Sequence, residues 1–65
     1  MIYGVKISGK DIKALAEQLG AKTMGEEWFK YREKHNYTRV AYSQGNYGIT
    51  HELFYLKDTG EFVLW

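Results

Sequence analysis

The chain has 65 residues, no cysteine and no proline, and a formal net charge of +1 at pH 7. A chain of this length lies near the lower size limit for one apolar core, so we expect a single domain over residues 1–65. The lack of cysteine excludes disulfides and thiolate metal clusters and is typical of a reducing compartment. Because the sequence has neither a membrane-length apolar stretch nor a signal peptide, it predicts a soluble, cytoplasmic protein without membrane contacts.

The first third of the chain predicts a strand followed by a helix. Residues 3–7 alternate, with Tyr3, Val5 and Ile7 on one face. Ser8 stands three residues before Asp11, a spacing that caps a helix start. Gly20 is a typical left-handed helix stop. The helix between them has apolar residues at i, i+3, i+4 and i+7, which are Ile12, Leu15, Ala16 and Leu19.

Residues 24–35 fit two structures. Thr23 and Glu26 could cap a second helix, with its inner stripe at Met24, Trp28 and Tyr31. A strand over 27–33 instead places Phe29 opposite Val40 and Tyr31 opposite Thr38, with a hairpin loop at 33–36. We favour the strand because this register sets apolar residues opposite each other, and we leave the helix open.

The C-terminal half predicts a hairpin with two apolar faces. Residues 37–43 and 49–57 alternate, residues 44–48 form a turn between them, and Asp58-Thr59-Gly60 forms a three-residue hairpin loop. That loop sets Lys57 opposite Glu61 and Leu53 opposite Trp65. One face then carries Phe54, Leu56, Phe62 and Leu64, which we expect to pack against Ile12, Leu15 and Leu19. The other face carries Leu53, Tyr55, Val63 and Trp65.

Together these elements predict an α+β fold. One helix packs on a mostly antiparallel sheet of four or five strands, in the order β-α-β-β-β-β, with a second helix at 24–35 as the alternative to a strand. One short helix covers only one face of a sheet. Other chain, a second copy in a homodimer, or a partner must therefore cover the second apolar face.

No catalytic, metal or cofactor site is predicted from the residue patterns. Gly4 to Asp11 nearly fits a phosphate-binding loop, but Asp11 stands where a hydroxyl must bind magnesium. His35 and His51 have no second ligand at metal-binding spacing, and no serine has a base partner. The expectation is a protein that is not an enzyme.

Two residue sets are candidates for binding. Aromatic and basic residues alternate in a way typical of single-stranded nucleic-acid platforms, and on the strand interpretation they share one face: Trp28, Lys30, Arg32, Tyr37 and Arg39. The alternative is a solvated cationic face whose long stems cover apolar neighbours. The second set is the apolar patch of Leu53, Tyr55, Val63 and Trp65, whose aromatic members are typical of binding hot spots.

Residues 11–23 are similar to the first helix and turn of helix-turn-helix DNA-binding proteins, with Ala16 at the close-packing position and Gly20 at the turn. The next segment does not suit a recognition helix, because Gly25 would destabilise it and Glu26 stands where an apolar residue should be buried. An ordinary amphipathic helix ending in glycine explains residues 11–20 better. Nucleic-acid binding through this segment or the aromatic–basic face remains the alternative function.

Val40-Ala-Tyr-Ser-Gln-Gly-Asn-Tyr-Gly-Ile and Lys57-Asp-Thr-Gly-Glu-Phe resemble small uncharacterised proteins of Gram-positive bacteria and their phages. The resemblance covers the C-terminal third to half of the chain. It implies a module that binds a host protein, such as a phage-type inhibitor or adaptor. No site residue is carried over from it. The expected function is therefore non-enzymatic protein binding, with a protein as partner.

Overall fold

The computed structural model describes residues 4–65, and Tyr3 of the predicted first strand lies outside them. The fold is α+β with a sheet-dominated core, as predicted. None of the helices in the described chain is long and apolar enough to cross a membrane. The elements are β1 (Val5–Lys6), α1 (Gly9–Gln18), β2 (Lys22–Thr23), α2 (Trp28–Tyr31), a 3-10 turn (Arg32–Lys34), β3 (Tyr37–Gly45), β4 (Gly48–Leu56) and β5 (Phe62–Leu64).

The five strands form one mixed sheet in the order β1-β3-β4-β5-β2. The three central strands are antiparallel, and each edge strand is parallel to its neighbour. Helix α1 joins the two edge strands and therefore crosses one face of the sheet. Gly4 enters β1 with φ +97°, and a Cβ there would lie 3.1 Å from the Arg39 carbonyl oxygen, so this close strand approach requires glycine.

Helix α1 begins and ends where the sequence predicts. The Ser8 hydroxyl accepts a hydrogen bond from the Asp11 amide at 3.1 Å, and Gly20 follows the helix at φ +66°. Ile12 and Ala16 are buried on the sheet, whereas Leu19 is 40% exposed. The core on this face contains Ile12, Ala16, Ala41, Leu53 and Leu64, with Leu15 and Phe62 half-buried against it.

The segment after β2 is helical, so the strand favoured over 27–33 is wrong and a second helix is present. This helix is shorter than the predicted 24–35, because it spans Trp28–Tyr31 with a 3-10 turn at Arg32–Lys34, and Thr23 lies in β2 instead of capping it. Trp28 and Tyr31 lie one turn apart and turn to the same side, as the helical spacing allows. They cover the second face of the sheet, which an added strand at the edge could not do. This core contains Met24, Trp28, Phe54, Leu56 and Val63.

The hairpin between β4 and β5 exists, but its predicted register is wrong by one residue. Leu53 lies opposite Leu64 and Phe54 opposite Val63, because the loop has four residues, 57–60, rather than three. The amide of Gly60 donates to the Leu56 carbonyl at 2.8 Å and closes this loop. A slip of one residue moves every β5 side chain to the other face.

The changed register also corrects the predicted core. Leu53 and Leu64 lie together beneath α1, whereas Phe54 and Leu56 lie beneath α2. The predicted packing of α1 against Phe54 and Leu56 is therefore wrong. Both faces of the sheet are covered by the chain itself, which removes the reason for expecting a second copy there.

Candidate partner-binding groove

An open groove of about 530 Å³ lies beside α2 on the sheet face that α2 partly covers. Strands β3 and β4 form its floor, the 3-10 turn forms one wall, and the loop after β4 closes one end. We call this the cationic groove. Its lining residues are Arg32, Tyr37, Thr38, Arg39, Glu52, Phe54 and Lys57.

A β-bulge in β3 sets which side chains face the groove. Arg39 lies opposite Phe54, and Ala41 lies opposite Leu53, so Val40 is an extra residue between two regular pairs. Bulges of this kind re-aim side chains. As a result Val40 and Ala41 both contact the α1 core, while Arg39 shares the groove face with Phe54.

Tyr37 is the exposed aromatic residue of the groove, and neighbouring rings hold it in place. Its ring packs edge-on against Trp28 at 5.4 Å and 75°, and against Phe54 at 5.5 Å and 82°. These are favourable edge-to-face geometries. Trp28 itself is fully buried, yet 40% of Tyr37 remains exposed. Tyr37 therefore presents a pre-positioned aromatic surface.

Arg39 and Glu52 form an ion pair across the groove floor. Their Nη1 and Oε2 atoms are 2.9 Å apart, and the side chains are 19% and 18% exposed. The guanidinium Cζ atom of Arg39 also lies 4.5 Å from the centre of the Tyr42 ring. The Tyr42 ring and the Glu52 carboxylate together hold the guanidinium in place.

Two further cations flank this pair. The guanidinium of Arg32 lies 4.9 Å from the Phe29 ring, and Lys57 extends from the loop after β4. Within residues 4–65 neither Arg32 nor Lys57 has an ion-pair partner. The groove thus contains three cationic side chains and a single carboxylate, which makes its potential positive.

A polar latch ties the 3-10 turn to the loop after β4. His35 donates from Nδ1 to the Asp58 carboxylate at 2.9 Å, and its ring lies 4.3 Å from that of Tyr31. The Lys57 amide donates to the Asn36 carbonyl at 2.7 Å. Because Arg32 follows Tyr31 and Lys57 precedes Asp58, the latch ties together the two backbone segments that carry these cations.

The pKa of Asp58, within the latch, and the pKa of Tyr31, beside it, are both shifted from their usual values. Partial burial acts to raise the pKa of Asp58, but the hydrogen bond and charge of His35, with nearby backbone amides, outweigh it and hold that pKa below its usual value. Burial raises the pKa of Tyr31, and the charges of Glu61 and Asp58 add to this effect. Asp58 is therefore favoured in its charged form and Tyr31 in its neutral form.

A second, smaller groove lies on the other side of α2. Its volume is about 280 Å³, and it contains three lysines and a carboxylate. Hydrogen bonds from the backbone of Glu27 itself and of Gly25 lower the pKa of Glu27, so this carboxylate is held in its charged form beside the lysines. The lining residues are Lys22, Met24, Glu27, Lys30, Tyr31 and Lys34.

The structure brings together part of the predicted aromatic–basic set. Arg32, Tyr37 and Arg39 line the cationic groove, but Trp28 is buried beneath α2 and Lys30 lines the second groove. The five residues therefore do not share one strand face. Sequence reasoning missed Glu52, Phe54 and Lys57, although the alternation of β4 places Glu52 and Phe54 on one face.

The predicted apolar patch does not form. Leu53 and Val63 are fully buried in the two opposite cores, and Tyr55 is half-buried against the Phe62 ring at 5.1 Å. Trp65 is 37% exposed and packs edge-on against Phe29 at 5.2 Å. The slip in register separates these residues, because it moves Val63 to the face opposite Leu53.

The helix-turn-helix similarity is also corrected. After α1 and Gly20 the chain enters β2, and α2 has only four residues. A recognition helix needs several turns to reach into the major groove.

Residues 4–65 also contain no group of three or more acidic or histidine side chains that could hold a metal ion.

Comparisons with protein-family models, with curated proteins and with solved structures found no match to this chain.

Proposed function

We propose that the protein is a non-enzymatic binding module of the cytoplasm that holds a protein partner in the cationic groove. Tyr37 is the observation that carries this proposal. It is an exposed aromatic ring fixed by Trp28 and Phe54, and two arginines, Arg32 and Arg39, line the same groove. Tyrosine and arginine are enriched among binding hot spots. A ring already held in place loses little entropy when a partner binds.

The arrangement of charge favours a protein over a nucleic acid. Single-stranded nucleic-acid platforms need a continuous cationic track and several exposed rings for base stacking. Here Glu52 interrupts the cations of the groove, and Asp58 of the latch adds a carboxylate next to Lys57 in the chain. Trp28, the largest ring of the predicted platform, is buried.

Nucleic-acid binding is the second candidate, and one observation favours it. Arg39 stacks on Tyr42 within a groove of positive potential, and such stacked arginines also contact phosphates and bases. The two functions differ in their dependence on salt. Binding to nucleic acid should weaken steeply as salt rises, because each phosphate contact releases counterions.

The resemblance of residues 40–49 and 57–62 to small phage and bacterial proteins supports an inhibitor or adaptor role within this proposal. Such a role requires a compact surface that binds one host protein tightly. The cationic groove offers both charge and a fixed, exposed aromatic ring for such a contact.

Affinity capture from a nuclease-treated lysate of a Gram-positive bacterium tests the proposal. The tagged protein should retain a specific partner, and Tyr37→Ala should lose it. Tyr47→Ala is the matched control, because Tyr47 is fully exposed in the turn between β3 and β4 and does not line the groove. Thermal melts confirm that both variants fold. Equal capture by Tyr37→Ala and the parent protein would refute the groove as the binding surface.

A further inference from the structure

We infer that the cationic groove takes an acidic segment of the partner, and that Glu52 is an internal competitor for the partner's carboxylate at Arg39. This inference rests on the proposed function and names the chemistry of the partner. An acidic segment is a run of aspartate or glutamate side chains on a protein.

The unpaired cations of the groove provide the first support. Within residues 4–65, Arg32 and Lys57 have no carboxylate partner, although both lie beside the pair formed by Arg39 and Glu52. The Arg32 guanidinium is already oriented by the Phe29 ring at 4.9 Å. An arginine fixed in this way presents its planar fork to a carboxylate at reduced entropic cost.

The size of the groove provides the second support. A volume of about 530 Å³ is in the range of sites for small ligands and short segments. Its cations are therefore close enough to contact a few consecutive carboxylates. A long polyanion would extend beyond the groove and meet the carboxylate of Asp58, which follows Lys57 in the chain.

The Arg39–Glu52 ion pair allows the inference to be tested with a single substitution. Both side chains are about four-fifths buried, so Arg39 needs a partner whether or not a ligand is present. A partner carboxylate near Arg39 meets the charge of Glu52 and must compete with it. Removing that charge should therefore strengthen the binding of an acidic segment, although Glu52 belongs to the groove itself.

The experiment uses three fluorescein-labelled probes and fluorescence anisotropy. The first probe is a short peptide of alternating glutamate and serine, the second has glutamine for every glutamate, and the third is an oligothymidylate of equal charge. The full chain should bind the first probe best. Glu52→Gln should tighten its binding severalfold, and Lys57→Glu should weaken it about tenfold.

Lys34→Glu is the matched control. It makes the same change of charge on the adjoining 3-10 turn, but Lys34 lines the second groove. Lys34→Glu should weaken the binding of the acidic peptide much less than Lys57→Glu does. Circular dichroism melts establish that Glu52→Gln and Lys57→Glu fold. Glu52→Asp keeps the carboxylate charge beside Arg39, so it should bind the acidic peptide with an affinity close to that of the parent.

Each outcome decides the inference. Equal weakening by Lys57→Glu and Lys34→Glu would overturn the groove as the acidic site, and weaker binding by Glu52→Gln would overturn the competitor role. Tighter binding of oligothymidylate than of the acidic peptide would assign the groove to nucleic acid. If Tyr37→Ala loses the captured protein but the acidic peptide does not bind, the proposed function stands and this inference falls. If the peptide binds while capture does not depend on Tyr37, the proposed function falls instead.

Discussion

The Trp28 ring stacks on the Phe54 ring with centroids 4.7 Å apart and planes 28° from parallel. This contact joins α2 to the centre of the sheet and also supports Tyr37 from beneath. The core of the second sheet face and the shape of the cationic groove therefore depend on the same side chain.

Trp28→Ala should leave the protein largely unfolded. Removing a fully buried tryptophan costs about 3–5 kcal/mol, and a domain of this size has only about 3–5 kcal/mol of stability. Chemical denaturation followed by circular dichroism measures the loss. Trp28→Phe is the control. It keeps a ring on Phe54 and removes an indole N–H that has no hydrogen-bond partner in the described chain. A cooperative melt for Trp28→Ala close to that of the parent would contradict this packing.

Ile12 within α1 and Leu19 directly after it should respond very differently to truncation. Ile12 is fully buried against the sheet, so Ile12→Ala should cost about 2–5 kcal/mol. Leu19 follows α1 and is largely exposed, and Leu19→Ala should therefore change stability by less than about 1 kcal/mol. Urea denaturation of both variants provides the comparison. Equal losses would show that α1 packs through a different face.

Local signals made α1 predictable from the sequence. Ser8, Gly20 and the apolar spacing between them depend on neighbours within a few residues. The structure confirms the cap and the stop, and it buries Ile12 and Ala16 of the apolar stripe but leaves Leu19 exposed. The local signals for residues 28–31 conflict, because the possible cap at Thr23 and Glu26 favours a helix and the register against β3 favours a strand. The choice between them is decided by the need to cover a sheet face built mainly from β4 and β5, which lie later in the chain.

The register of β4 and β5 shows how one loop residue changes a predicted surface. A three-residue loop set Leu53 opposite Trp65, but the four-residue loop sets Leu53 opposite Leu64. The apolar patch predicted from the first register therefore does not exist. Arg32, Tyr37 and Arg39 were predicted as binding residues, whereas Glu52 and Lys57 required knowledge of how β3 pairs with β4.

Ser8→Ala should lower stability by about 1 kcal/mol, the usual cost of losing a side-chain helix cap. The reason is that the Asp11 amide would lose its hydrogen bond to the Ser8 hydroxyl. Ser8→Asp is the control, because aspartate caps helices about as well as serine and should keep near-parent stability. Thermal melts compare the three proteins. An unchanged melt for Ser8→Ala would show that water replaces the cap without cost.

The latch predicts a stability that depends on the charge of Asp58. The pKa of Asp58 in the folded protein lies below the ordinary aspartate pKa of about 3.9. A carboxyl with a lowered folded pKa stabilises the protein fully above its ordinary pKa, and this stabilisation is lost as the pH falls through the folded pKa. Asp58→Asn cannot ionise, so it should be less stable than the parent at neutral pH.

The difference in stability between the parent and Asp58→Asn should be present at neutral pH and shrink below about pH 4. Urea denaturation across this range measures it. His35→Gln is the matched variant, because it removes the ring that donates to Asp58 at 2.9 Å. It should therefore lose less stability than the parent does as the pH falls. If the stability curves of the parent and Asp58→Asn run parallel down to acid pH, the pKa of Asp58 is not lowered by folding and the latch does not stabilise the carboxylate.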